Sequence, residues 1–128
     1  MVNEKSKAWL QKLNSSLVHE LSAAFSVNVY QDQVSEDEED DDHIHYFIFE
    51  TGAMTKQNER SLSQDVLIRY YSENRDDLDE RTIDIISVLE NTNHTFANTN
   101  KTAIQKGETD SYVDEIEFYL TRKIKYGC

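Results

Sequence analysis

No proline interrupts this chain, only three glycines loosen it, and its one cysteine stands at the last position, Cys128. The first two shortages exclude a collagen-like or low-complexity composition, in which proline and glycine dominate. The third excludes an internal disulfide and any metal site built on cysteine thiolates. Long apolar runs are missing as well. Met1-Val2-Asn3-Glu4-Lys5 opens an amphipathic pattern. It lacks the apolar core of a signal peptide or a membrane span, so the expectation is a protein made and kept in the cytosol, with no membrane partner. Positive charge is scarce too, with 13 Lys and Arg against 25 Asp and Glu and a net charge of −12. Nonspecific grip on nucleic acid comes from neutralising phosphates with Lys and Arg, so a chain of this sign repels DNA more readily than it binds it.

The acidity is concentrated. Glu36, Asp37, Glu38, Glu39, Asp40, Asp41 and Asp42 supply seven of the 25 acids without a break, and the rest of the chain carries −5. A run of this kind repels itself and reads as a loop. At 128 residues the chain fits one domain, 1–128, with one modest core. Three Asn-x-Ser/Thr triplets, at Asn14, Asn93 and Asn100, matter only in a secreted protein and are expected by chance in a chain rich in Asn and Ser.

Hydrophobic periodicity assigns the elements. Trp9, Leu10, Leu13, Leu17, Leu21 and Ala24 recur at spacings of three and four, which predicts a helix over 4–25 with one apolar face. Val27 and Val29 alternate with Asn28 and Tyr30 in a short strand. After the acidic loop, 43–50 reads as a strand with both faces buried, carrying Ile44, Tyr46 and Ile48 on one parity and Phe47 and Phe49 on the other. A loop over 51–60 holds Gly52, and Leu62, Val66, Ile68 and Tyr70 then alternate in a third strand. Asp76 or Asp77 can cap a second helix over 77–90, Asp77 and Glu80 have capping-box spacing, and Leu78, Thr82, Ile85, Ile86 and Leu89 form its stripe. The span 94–106 is polar but β-prone, with Phe96 and Ile104 on one parity, and a hairpin turn at 106–108 leads to the last strand. That strand is the clearest signal in the chain. From 112 to 126 one parity carries Ile116, Phe118, Leu120, Ile124 and Tyr126, and the other carries Glu115, Glu117, Thr121, Lys123 and Lys125. The predicted class is α+β, an antiparallel sheet of four to five strands with two helices on one face, in the order α-β-β-β-α-β-β.

Chemistry-bearing constellations are few. His43 and His45 share a parity and follow Asp40, Asp41 and Asp42, which offers imidazole and carboxylate to a divalent metal. No third ligand is fixed, and two histidines opening a strand beside an acidic loop is the simpler reading, so no metal site is expected. The run also lacks the spaced ligands and turn glycine of an EF-hand loop. No serine lies in a nucleophile elbow, the glycines make no phosphate cradle, and neither a catalytic residue nor a cofactor is expected. Arg122, Lys123 and Lys125 form a local basic cluster near Tyr119 and Tyr126. On an edge strand they can pair with neighbouring acids, blunt aggregation or meet an acidic surface of an adjacent subunit, and the last is favoured over nucleic-acid stacking.

The element order is similar to that of the tail completion proteins of long-tailed bacteriophages, a family of tail terminators and tail-to-head joining proteins. The likeness rests on the long first helix, on Leu62-Ser-Gln-Asp-Val-Leu-Ile-Arg-Tyr-Tyr71 followed by the helix up to Leu89, and on the terminal Tyr112-Val-Asp-Glu-Ile-Glu-Phe-Tyr-Leu-Thr-Arg-Lys-Ile124. The acidic insertion departs from the common pattern. The resemblance implies a structural virion protein with no enzymatic activity, a ring and most simply a hexamer, at the head-proximal end of the tail and made in the bacterial cytoplasm. Its partners would be copies of itself, the tail tube protein and the head connector, with DNA only passing through the lumen. Glu36 to Asp42 would then line the lumen or rim, where acids keep DNA from sticking. Arg69, Tyr71, Arg122, Lys123 and Lys125 would meet a subunit or partner. Two other readings stand beside it: a small acidic DNA mimic occupying a host enzyme, and an adaptor that binds one protein through its sheet edge.

Overall fold

The computed structural model describes residues 3–32, 45–73, 76–105 and 112–126. Along the chain lie α1 (Glu4–Phe25), β1 (Asn28–Gln31), β2 (His45–Asn58), β3 (Ser61–Glu73), α2 (Leu78–Glu90), β4 (His94–Gln105) and β5 (Tyr112–Lys125). The strands form one sheet in the order β1-β2-β3-β5-β4. This is the expected α+β element order, with a correction to the sheet. β1 runs parallel to β2, so the sheet is mixed rather than antiparallel. The chain leaves β1 level with Phe49 and enters β2 at His45, and a parallel pair needs a crossover of about a dozen residues. Residues 33–44, outside the described set, fall in that connection.

Both helices lie on one face of the sheet, because their buried residues join a single core with one parity of each strand. Leu17 and Leu21 of α1 and Leu78, Ile85 and Leu89 of α2 pack with Phe47, Phe49, Val66, Ile68, Tyr70, Ile116, Phe118 and Leu120. Register explains the selection: Phe47 pairs with Tyr70 and Tyr70 with Ile116, while Phe49 pairs with Ile68 and Ile68 with Phe118. The α1 stripe is buried at Leu13, Leu17 and Leu21, and Ala24 is exposed, its expected place taken by the half-buried Phe25. The helix closes on Ser26, left-handed at φ 55°, whose N–H donates to the Ser22 carbonyl at 2.8 Å. α2 starts without the expected cap, since the Asp77 side chain makes no capping bond; Asp79 and Glu80 still place negative charge at its positive end.

Two strands differ from their sequence reading. Residues 51–58 are not a loop: β2 continues through them, and Glu59 and Arg60 make the turn into β3. Its ladder with β3 slips between Thr51 and Met54 around Gly52, where an added Cβ would stand 3.3 Å from the Cβ of Asp65. Glycine therefore lets the two backbones approach at the irregularity. In β4 a shift between Phe96 and Asn98 reverses parity, so Phe96 faces the core with Leu120 while Ile104 pairs with Val113 on the opposite face.

Candidate functional site

The acidic run at 36–42 and His43 lie outside the described residues. His45 opens β2 with Nε2 2.7 Å from the Tyr70 hydroxyl and the two rings edge to face at 5.5 Å. Among the described residues no three His, Cys, Asp or Glu side chains converge as metal ligands.

The basic cluster expected at the end of β5 is divided by the pleat. Arg122 falls on the same parity as Ile116, Phe118, Leu120 and Ile124 and is only 2% exposed, so it is a core residue and not a surface contact. Nor is β5 an edge strand, because it lies between β3 and β4. The Arg122 guanidinium donates from Nε to Gln64 Oε1 at 2.9 Å and from Nη1 to Asn14 Oδ1 at 2.7 Å. Gln64 in turn donates from Nε2 to the Gly52 carbonyl at 3.1 Å, so one hydrogen-bonded chain ties β2, β3 and β5 to α1. Its two acceptors, Gln64 and Asn14, are neutral amides, and burial pulls the Arg122 pKa below the ordinary guanidinium value. His94, its cross-strand partner, is also buried, with Nδ1 2.9 Å from the Thr92 carbonyl. Desolvation, aided by the nearby Arg122 charge and opposed by the Thr92 bond, drives His94 down to about 4. It is therefore neutral at pH 7. Arg122 Nη2 and His94 Nε2 are buried without a protein partner among the described residues.

Lys123 and Lys125 point outward and enter a larger cluster that the sequence does not group. The indole of Trp9 donates to the Lys123 carbonyl at 3.2 Å, and the ammonium groups of Lys125 and Lys12 lie 4.3 and 5.8 Å from its ring centroid. The Tyr126 N–H donates to the Arg60 carbonyl at 2.8 Å, which brings the β2–β3 turn alongside. A depression of about 530 Å³ is lined by Lys5, Ser6, Ala8, Trp9, Lys12, Arg60, Lys125 and Tyr126. Lys123 and one carboxylate, Glu90, line the adjoining hollow. Five cations thus surround two aromatic rings at one end of an acidic protein.

Arg69 and Tyr71 sit on the sheet face away from the helices. Arg69 donates from Nη1 to Glu50 at 2.6 Å and from Nε to Glu117 at 3.5 Å, and Asn100 donates to Glu117 at 3.2 Å, a polar row across four strands. Burial alone would lower the pKa of Arg69, but Glu50, Tyr71 and Glu117 together raise it. Tyr71 continues an aromatic file, with Tyr30 to Tyr46 at 6.0 Å and Tyr46 to Tyr71 at 5.1 Å between centroids. Burial, then the bond to Glu115, pushes its phenol above the usual range.

The five expected contact residues therefore do not form one site. Arg122 is internal, and Tyr71 lies ten register positions along β3 from Ser61, the partner of Lys125, or about 33 Å. No helix of the described residues is long and apolar enough to cross a membrane. No protein-family model matches the chain, and no curated protein matches it.

Proposed function

We propose that this chain is a structural protein of the bacteriophage tail, a ring subunit at its head-proximal end that caps the tail tube and joins it to the head connector. The observation that carries this reading is the uncovered sheet face. Both helices pack on one side, while the other presents an organised file of tyrosines and a row of paired charges, with no covering element among the described residues. An ordered, mixed polar and aromatic face of this kind suits docking against flat protein surfaces. Strand edges add to it: among the described residues β1 pairs only with 46–49, which leaves the far half of β2 a free side, and β4 is the other edge. The element order supports the same family. In such a ring, most simply a hexamer, function lies in shape: one surface stops tube growth, another receives the connector, and DNA passes through a lumen. The acidic run at 36–42 belongs at the lumen or rim, where like charge keeps DNA moving.

The test is localisation. Cryo-electron microscopy of the particle that carries this chain is expected to show a ring of it between tail tube and connector. A particle whose head–tail junction is complete without it overturns the reading.

A further inference from the structure

We infer that the basic end around Trp9 is the seat for the acidic run, 36–42, of a second copy of this chain. Lys5, Lys12, Arg60, Lys123 and Lys125 gather there, all exposed, and among the described residues none of them is held in an ion pair. Among the described residues, Glu90 is the one carboxylate lining the same hollows. The lysines are arranged rather than scattered: Trp9 is fixed by its bond to the Lys123 carbonyl and carries Lys125 over its ring. The chain elsewhere supplies a matching ligand, seven consecutive carboxylates.

The run cannot bring all seven of its carboxylates to its own basic end. His45 pairs with Ser72 and Lys123 with Ser63, nine register positions apart on β3, or about 30 Å. Residues 36–42 stand nine to three positions before His45, so fully extended chain carries them only about 31 to 10 Å from it. Even with about 10 Å added for the two extended side chains, Asp40, Asp41 and Asp42 fall short of Lys123. Seven carboxylates can meet this cluster only from another molecule.

A contact that joins one end of a copy to the opposite end of the next is heterologous, and it propagates head to tail until it closes as a ring or runs on as a filament. Closure rests on the ring proposed above; in that ring the run is held at the rim, in the seam between subunits, and this placement replaces the DNA-repelling lumen position given to it there. The contact itself stands independently of the tail reading.

Two full-length variants test it. One carries Lys12→Glu, Lys123→Glu and Lys125→Glu and keeps the acidic run; the other replaces the seven acids with Gln and Asn and keeps the basic end. Each alone should sediment as a monomer. Mixed, they should form a one-to-one dimer that grows no further, since only one seam is complementary. Wild-type association should weaken about tenfold or more between about 50 and about 500 mM salt. Carbodiimide coupling of labelled with unlabelled wild type should join Lys123 or Lys125 to 36–42 across the isotopes. A mixture that stays monomeric overturns the inference, as does coupling confined to one isotope. Binding of a DNA duplex of about 20 base pairs at the basic end, without coupling between copies, makes it a nucleic-acid site instead. Circular dichroism checks the fold, and if the reversed variant unfolds, the Lys→Gln set must show the same loss of association. A dimer of variants from a protein absent from the tail end sinks the tail reading alone; a ring in the particle with monomeric mixtures sinks this contact alone.

Discussion

The indole N–H of Trp9 donates to the carbonyl of Lys123 at 3.2 Å across 114 positions of sequence, joining the first turns of the first helix to the end of the last strand. Few other contacts hold that part of α1, because its buried leucines begin only at Leu13. Trp9→Phe is expected to cost about 1 kcal/mol through the lost bond. Trp9→Ala is expected to cost about 2 kcal/mol or more as the ring under Lys125 disappears. Urea denaturation measures both, and amide exchange should quicken first over residues 4–12.

Arg122 provides a second prediction. Arg122→Ala should lose about 2–4 kcal/mol, since it leaves a cavity and strips the Gln64 and Asn14 side chains of their donor. Arg122→Glu should abolish folding by burying an unpaired charge. Wild-type stability in the Ala variant would mean that the guanidinium does not span β3, β5 and α1.

Acid should act through His94. Its pKa falls from an ordinary 6.5 to about 4 on folding, so the unfolded chain binds the extra proton between those values and stability declines as pH drops through that window. Its contribution is complete above about 6.5 and is lost by about 4, worth about 3 kcal/mol at the acid end. Chemical denaturation from pH 7 to 4 should show a steeper loss in wild type than in His94→Asn, and parallel curves would refute the assignment.

Ser26 holds a left-handed conformation at the end of α1 that costs a residue with a Cβ. Ser26→Gly should therefore raise stability by about 0.5–1 kcal/mol, seen as a higher melting temperature with unchanged spectra. A lower melting temperature would show that the serine side chain matters there.

Legibility followed periodicity. α1, β3, α2 and β5 were readable because one face of each meets the core, and that demand writes a period of 3.6 or 2 into the sequence. The far half of β2 was not, because 52–58 are exposed on a strand that, among the described residues, has no neighbour on one side, so nothing there selects alternation. The parity of Ile104 was lost to a one-residue irregularity near Ala97, invisible in a pattern of Asn and Thr. Parallel pairing of β1 depends on where the chain re-enters, which composition does not record. Of the expected contact residues, Arg122 was misplaced although its position on the parity of Leu120 and Ile124 signalled burial. The basic end was missed because Trp9 reads as one more residue of the α1 stripe, and nothing in the sequence ties it to Lys123.

The proposed role at the head-proximal end of a phage tail can be tested by electron microscopy of particles assembled without this chain. Overlong tail tubes, or finished tails lying apart from full heads, are the expected result. Normal tails joined to full heads would contradict it.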